Sequence, residues 1–212
     1  EVSPLSSFPG PCAAMLYEAN AIILGKYRVQ RLLGRGGFAE VYLVRHLPLG
    51  VDRAIKVISK ELPGVGSSTF GDYRARFAQE ANLGAKLDHP SLVRVHDFFE
   101  RPDLAVLEME YAPGGSLTDV IATARLQGQP LPLERCLAIA RDMAEGLARL
   151  HAMDIIHRDL KPSNVLLDAA GHAKVSDLGL AQTPGGPSGR EILGSAAQPH
   201  PGTPAYMSPE QR

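Results

Sequence analysis

The sequence predicts an α+β protein in which a small sheet with one helix precedes a mainly helical half. Two observations carry this. Strand-like runs fill much of residues 27–109 around a single helical pattern at 73–87, and the clearest amphipathic pattern, 132–151, comes after them. At 212 residues and 44% hydrophobic composition the chain can bury a core. A net charge of -1 and a pI near 6.7 give no reason to expect nucleic acid or an acidic membrane surface as partner. The two cysteines, Cys12 and Cys136, lack metal-ligand or redox spacing, which fits a reducing compartment. No apolar run approaches the roughly 18 residues that span a bilayer. The chain is therefore expected to be cytoplasmic, with no membrane segment of its own.

In chain order, Pro4, Pro9 and the serines near them favour an irregular leader, drawn over residues 1–26. From Tyr27 the alternation of Tyr27, Val29, Arg31 and Leu33 with their neighbours predicts a strand ending at Gly34, and Val41 to Val44 predicts the next. Between them lies Gly34-Arg35-Gly36-Gly37-Phe38-Ala39-Glu40-Val41. Its glycines suit either a plain hairpin or a turn whose N–H groups approach phosphate.

Val51 to Ser59 predicts a third strand with Ala54, Lys56 and Ile58 on one face. Lys56 there is either a solvated edge residue or turned inward. The helical pattern over Tyr73 to Leu87 puts Glu80 within the stripe of Phe77, Gly84 and Leu87. A carboxylate facing a core is costly unless it meets a cation, and Lys56 is the available partner. A place at the wet margin of the stripe is the alternative. Leu92 to Phe99 and Leu104 to Met109 predict two more strands. The helix over Pro132 to His151 shows a core face of Cys136, Ile139, Ala140, Met143, Ala144, Leu147 and Leu150.

The chain then reads His157-Arg-Asp-Leu-Lys-Pro-Ser-Asn-Val-Leu-Leu167, followed by a short hairpin that presents Asp177-Leu178-Gly179. Asp159, Lys161, Asn164 and Asp177 suit phosphoryl transfer, which must orient a hydroxyl, neutralise a moving phosphate and hold divalent metal with oxygen ligands. A solvated turn would need Asp, Asn or Pro, but not all of these at these offsets.

Taken in order, these motifs resemble a eukaryotic-type protein kinase, most similar to the Ser/Thr kinases common in bacteria, from about Tyr27 to Arg212. The resemblance implies a two-lobed protein-kinase-like fold. Residues 27–112 would form the N-lobe and hinge, an antiparallel sheet plus one helix. Residues 113–212 would form a partial, mainly helical C-lobe that stops after the activation segment, so the chain is expected to be a fragment. It implies transfer of the γ-phosphoryl of ATP, with Mg²⁺, to serine or threonine hydroxyls of protein substrates. An ATP-binding scaffold of weak or no activity is the alternative.

By the same resemblance the catalytic residues are Asp159, as proton acceptor, with Lys161, Lys56 and Glu80, and the metal ligands are Asn164 and Asp177. Gly34, Arg35, Gly36, Gly37 and Phe38 would cover the phosphates. Val41 and Ala54 would cover the adenine from above and Leu166 from below. Met109 would guard the back of the pocket, and the backbone of Glu110 and Ala112 would meet the adenine edge. His157 is implied to be structural and Arg158 to dock a phosphorylated activation segment. Thr203 and Glu210 belong to the stretch Gly202 to Glu210 that anchors that segment.

The sequence departs from the family pattern at Ala39, in place of a third glycine, at Ser208, in place of Ala, and at Gly84. A larger apolar residue usually packs from that last position towards the Asp-Leu-Gly motif, so the helix is expected to be weakly held. Gln198 to Pro201 lack the usual phosphate acceptor, leaving Thr183, Ser188 and Ser195.

Overall fold

The computed structural model describes residues 15–36, 38–62, 65, 67–178, 181 and 204–207. Strands β1 (Ile22–Ile23), β2 (Tyr27–Arg35), β3 (Glu40–His46) and β4 (Val51–Ser59) are followed by helix α1 (Ser67–Gly84), then β5 (Val95–Glu100) and β6 (Leu104–Glu110). They form one antiparallel sheet in the order β1-β2-β3-β4-β6-β5. The second half holds α2 (Leu117–Leu126), α3 (Leu133–His151), a short 3₁₀ turn at Pro162–Asn164, the hairpin β7 (Val165–Leu167) and β8 (Ala173–Val175), and a 3₁₀ turn at Pro204–Tyr206. This is the α+β arrangement expected. Among the described residues no helix is long and apolar enough to cross a membrane.

Alternation decides the two faces of the sheet. Val41 lies opposite Lys56 and Leu43 opposite Ala54, while Glu40 lies opposite Val57 and Tyr42 opposite Ile55. The face carrying Ile58, Ala105 and Leu107 receives α1 through Phe70, Phe77 and Ala81. The other face buries Tyr27, Val29, Tyr42, Val44, Ile55, Val57 and Val106, and Leu16, Tyr17, Ala21 and Leu24 pack on it. The expected leader over 1–26 is thus corrected at its end. Ile22–Ile23 pairs with β2, and Ile23 is buried because it completes that outer cluster. Residues 1–14 lie outside the described residues.

Three further boundaries differ. Helix α1 begins earlier and ends at Gly84. Strand β5 begins at Val95 because Leu92 is drawn into a parallel bridge with Val175, whose N–H donates to Ser91 O at 2.9 Å while Val93 N–H donates to Val175 O at 2.9 Å. That exchange stitches the sheet to the hairpin. Helix α2, absent from the sequence reading, starts at a capping box in which Ser116 and Asp119 each accept the other's backbone N–H.

Helix α3 forms where expected, with its buried face turned differently. Ile139 and Leu150 are buried as anticipated, but Cys136, Ala140 and Ala144 are exposed, and Asp142 and Gly146 are buried instead. Asp142 Oδ2 accepts Ala173 N–H at 3.0 Å and Oδ1 accepts from Arg141 at 3.3 Å. Burial pushes its carboxyl up, but the Ala173, Arg141 and His172 contacts outweigh burial and hold it below the usual carboxylate range. Gly146 is there because the helix passes so close to Ser91 O that a Cβ would stand 2.6 Å from it.

Candidate active site

The loop after α3 is built around a buried histidine. His157, 2% exposed, donates from Nε2 to Ser176 O at 2.9 Å and accepts Asp159 N–H at Nδ1, at 3.3 Å. Both ring nitrogens are thus engaged in holding the loop together. Arg158 and Asp177 flank these contacts with φ of 66° and 64°. Non-glycine residues hold such angles only where their surroundings impose them, and such strain gathers at functional sites.

Asp159 receives the rest of the loop. Lys161 Nζ lies 2.8 Å from its Oδ2, and Asn164 Nδ2 donates to its carbonyl at 2.9 Å and its Oδ2 at 3.2 Å. Asn164 sits at the end of the 3₁₀ turn, where Pro162 suits the tight first position. Its carbonyl accepts Ser176 N–H at 2.9 Å, which brings the neighbour of Asp177 alongside.

Across from this loop, Lys56 Nζ stands 2.8 Å from Glu80 Oε2 and 3.1 Å from Asp177 Oδ1. The inward option for Lys56 and the paired option for Glu80 are therefore the ones realised. Burial alone would lower the Lys56 pKa, but the Asp177 and Glu80 charges reverse this and hold the ammonium firmly protonated. Burial raises the Glu80 carboxyl, and the Lys56 charge only partly offsets that. Asp177 keeps 43% of its side chain exposed against 4% for Glu80. One carboxylate is sealed as a structural partner, and the other stays open.

Around the cleft, Val41 and Ala54 share the Lys56 face, as their register requires. Ala112 is buried and Glu110 partly so, with Lys174 Nζ 2.9 Å from Glu110 Oε1. Leu166 on β7 bridges to Ser116 below them. In the glycine-rich turn Gly34 pairs with Val41, and Gly36 N–H donates to Ala39 O at 2.8 Å. Two members of the turn use their side chains for contacts within the fold. Arg35 pairs opposite Glu40 and turns its guanidinium onto that carboxylate, on the face away from Lys56. The Phe38 ring stacks on Tyr73 of α1, with centroids 4.3 Å apart. Gly37, Thr203 and Glu210, with Thr183, Ser188 and Ser195, lie outside the described residues.

Behind Met109 a recess is lined by Glu80, Leu87, Leu92, Val95 and Leu178. Gly84 belongs to this region. The bulk missing there does not leave a gap, because α1 closes on β5 until a Cβ would stand 2.3 Å from Val95 Cγ2 and 3.0 Å from Val95 Cβ. Valine is β-branched and has little room to move aside. Gly84→Ala is therefore expected to cost a net 1–2 kcal/mol or so despite its better helix propensity, and to lower turnover by shifting Glu80. Urea unfolding and turnover of Gly84→Ala, alone and with Val95→Ala, check this; the pair should regain both.

Sequence reasoning missed Glu40 and Asp142, buried carboxylates with charged partners, and the partly buried pair of Lys174 with Glu110. Charge at an otherwise inward strand position was the available signal for Glu40; Lys174 and Asp142 offered none at their spacing.

The comparisons agree with this geometry. Residues 27–211 match the protein kinase domain. The chain belongs to the protein kinase family. It is 39% identical over 202 residues to the serine/threonine-protein kinase pkn2 of Myxococcus xanthus, covering 93% of this chain and 23% of that protein. It is 38% identical over 191 residues to CBL-interacting protein kinase 4 of Oryza sativa, covering 89% and 39%. It is 33% identical over 193 residues to the serine/threonine-protein kinase PrkC of Bacillus subtilis, covering 89% and 27%. The chain thus spans well under half the length of each.

Proposed function

We propose that this chain is the catalytic portion of a cytoplasmic Ser/Thr protein kinase that transfers the γ-phosphoryl of ATP to a hydroxyl of a protein substrate. The observation that carries the reading is Lys56 held between sealed Glu80 and open Asp177. An ammonium fixed in this way sits ready for phosphate oxygens without side-chain ordering at the moment of binding. Val41, Ala54 and Leu166 would enclose the adenine, with the backbone of Glu110 and Ala112 at its edge and Met109 behind. Gly34, Gly36 and Gly37 would lie over the phosphates, and Arg35 and Phe38 would contribute backbone only.

Asn164 and Asp177 would hold Mg²⁺. Among the described residues no three His, Cys, Asp or Glu side chains are grouped to bind a metal unaided. The amide oxygen of Asn164 and the carboxylate of Asp177 are the hard oxygen donors that suit an ion which takes one or two protein ligands and completes its shell with phosphate and water. When bound it neutralises phosphate charge. In the transfer, the substrate hydroxyl oxygen bonds to the γ-phosphorus as the bond to the β–γ bridging oxygen breaks. The hydroxyl proton passes to Asp159, and ADP carries away the bond's electrons. Lys161, beside Asp159, would offset charge on the transferred group. Arg158, Thr203 and Glu210 would order the activation segment and the substrate platform.

The test is Mg²⁺-dependent transfer of labelled γ-phosphate from ATP to a generic basic protein and to the chain itself, followed by identification of the phosphorylated amino acid. Label on serine or threonine supports the reading. ATP binding with no transfer in any condition supports the scaffold alternative instead.

A further inference from the structure

Glu40 is a fully buried carboxylate, 0% exposed, at the foot of the glycine-rich turn. A buried charge persists only when its lone pairs are met, and four donors meet these. Arg35 reaches Oε1 through Nε at 2.7 Å and Nη2 at 2.6 Å. Oε2 accepts the Tyr42 hydroxyl and, at 3.0 Å, the backbone N–H of Leu16. Tyr17 N–H donates to that Tyr42 oxygen at 3.1 Å, and the two tyrosine rings meet edge to face at 5.9 Å. Leu16 and Tyr17 precede the matched domain, which begins at residue 27.

Arg35 and Glu40 are the last paired residues on either side of the turn, so whatever fixes Glu40 fixes both its ends. One of those four donors, the Leu16 N–H, comes from outside the domain, and Tyr17 N–H steadies the hydroxyl that supplies another. We propose that Glu40 is a positioning residue for the glycine-rich turn, and that the segment Leu16–Tyr17 is a brace that sets how firmly the turn closes over nucleotide phosphates. This rests on the phosphate-binding reading of the turn. Adenine, gripped elsewhere, should not sense the brace.

Leu16→Pro removes the N–H that Glu40 accepts, whereas Leu16→Ala keeps it and trims the same packing. Calorimetry on the full chain uses Mg·ATP and adenosine as separate probes. Leu16→Pro is expected to raise the Kd for Mg·ATP about 3- to 10-fold over Leu16→Ala and to leave adenosine within about twofold, the scale of one hydrogen bond. Glu40→Gln should move Mg·ATP the same way. Equal Mg·ATP affinity in the two Leu16 variants overturns the brace, and so does a parallel loss of both ligands, which would report general loosening. A wild-type chain that binds adenosine but gains nothing from the phosphates overturns the underlying reading of the turn instead.

Discussion

Replacing Asp159 by Asn is expected to lower kcat by about 10²- to 10⁴-fold with little change in affinity for Mg·ATP. An amide of the same shape cannot take the hydroxyl proton, but most of what holds the loop survives the change. The Asn164 Nδ2 contact to the carbonyl of residue 159 and the His157 contact to its N–H are both to backbone. Thermal unfolding should therefore move little. The Lys56 ammonium and the Val41 and Ala54 surface lie across the cleft on the sheet, which keeps nucleotide binding independent of this residue. Steady-state kinetics should show kcat and kcat/KM falling together, the signature of an interaction made only in the transition state. Turnover equal to wild type would remove Asp159 from the role of base, and a matching rise in the Kd for Mg·ATP would make it a binding residue.

The parts of this fold legible in the sequence are those encoded by local period or by residue types with a fixed chemical task. Strand β2 alternates over its first residues, β4 and β6 read as short, mostly apolar runs, α3 repeats at helical spacing, and the loop from His157 to Asn164 carries its chemistry in consecutive residues. Glu80 was legible because a carboxylate in an apolar stripe demands a cation. Helix α2 was not, although Ser116 and Asp119 spell its capping box, since none of its residues is buried and its stripe is weak. The direction of Arg35 depends on cross-strand register with Glu40, and the value of Glu40 depends on a backbone N–H 24 residues away. Gly84 read as a helix weakener, whereas it and Gly146 each mark a place where a helix comes closer to its neighbour than a Cβ permits. Propensity is local, and close approach is a property of the pair.

Replacing Lys56 by Met is expected to lower turnover by about 10²- to 10³-fold, the cost of removing one preorganised electrostatic group, and to make stability depend on pH in a defined direction. The methionine keeps most of the apolar stem but leaves Glu80, 4% exposed at its side chain, without its countercharge and with Asp177 still near. The Glu80 carboxyl is already held above its ordinary 4.5 by burial, against the pull of Lys56, so loss of that pull raises it further. A carboxyl raised in the folded state binds more protons folded than unfolded. Its contribution is complete below about pH 4.5, and is lost as pH rises through the folded-state pKa. Lys56→Met should therefore match wild type most closely near pH 5 and fall behind by about 1–3 kcal/mol towards pH 8, measured by urea unfolding at each pH. Adding Glu80→Gln removes the titrating group, so the double variant should lose the extra pH dependence and regain stability at pH 8. Turnover should stay low, because the cation that meets the phosphates is still missing. A Lys56→Met variant whose stability deficit is the same at pH 5 and pH 8 would mean that Glu80 finds another partner when Lys56 is gone, and the buried pair would then not be what seats α1 on the sheet.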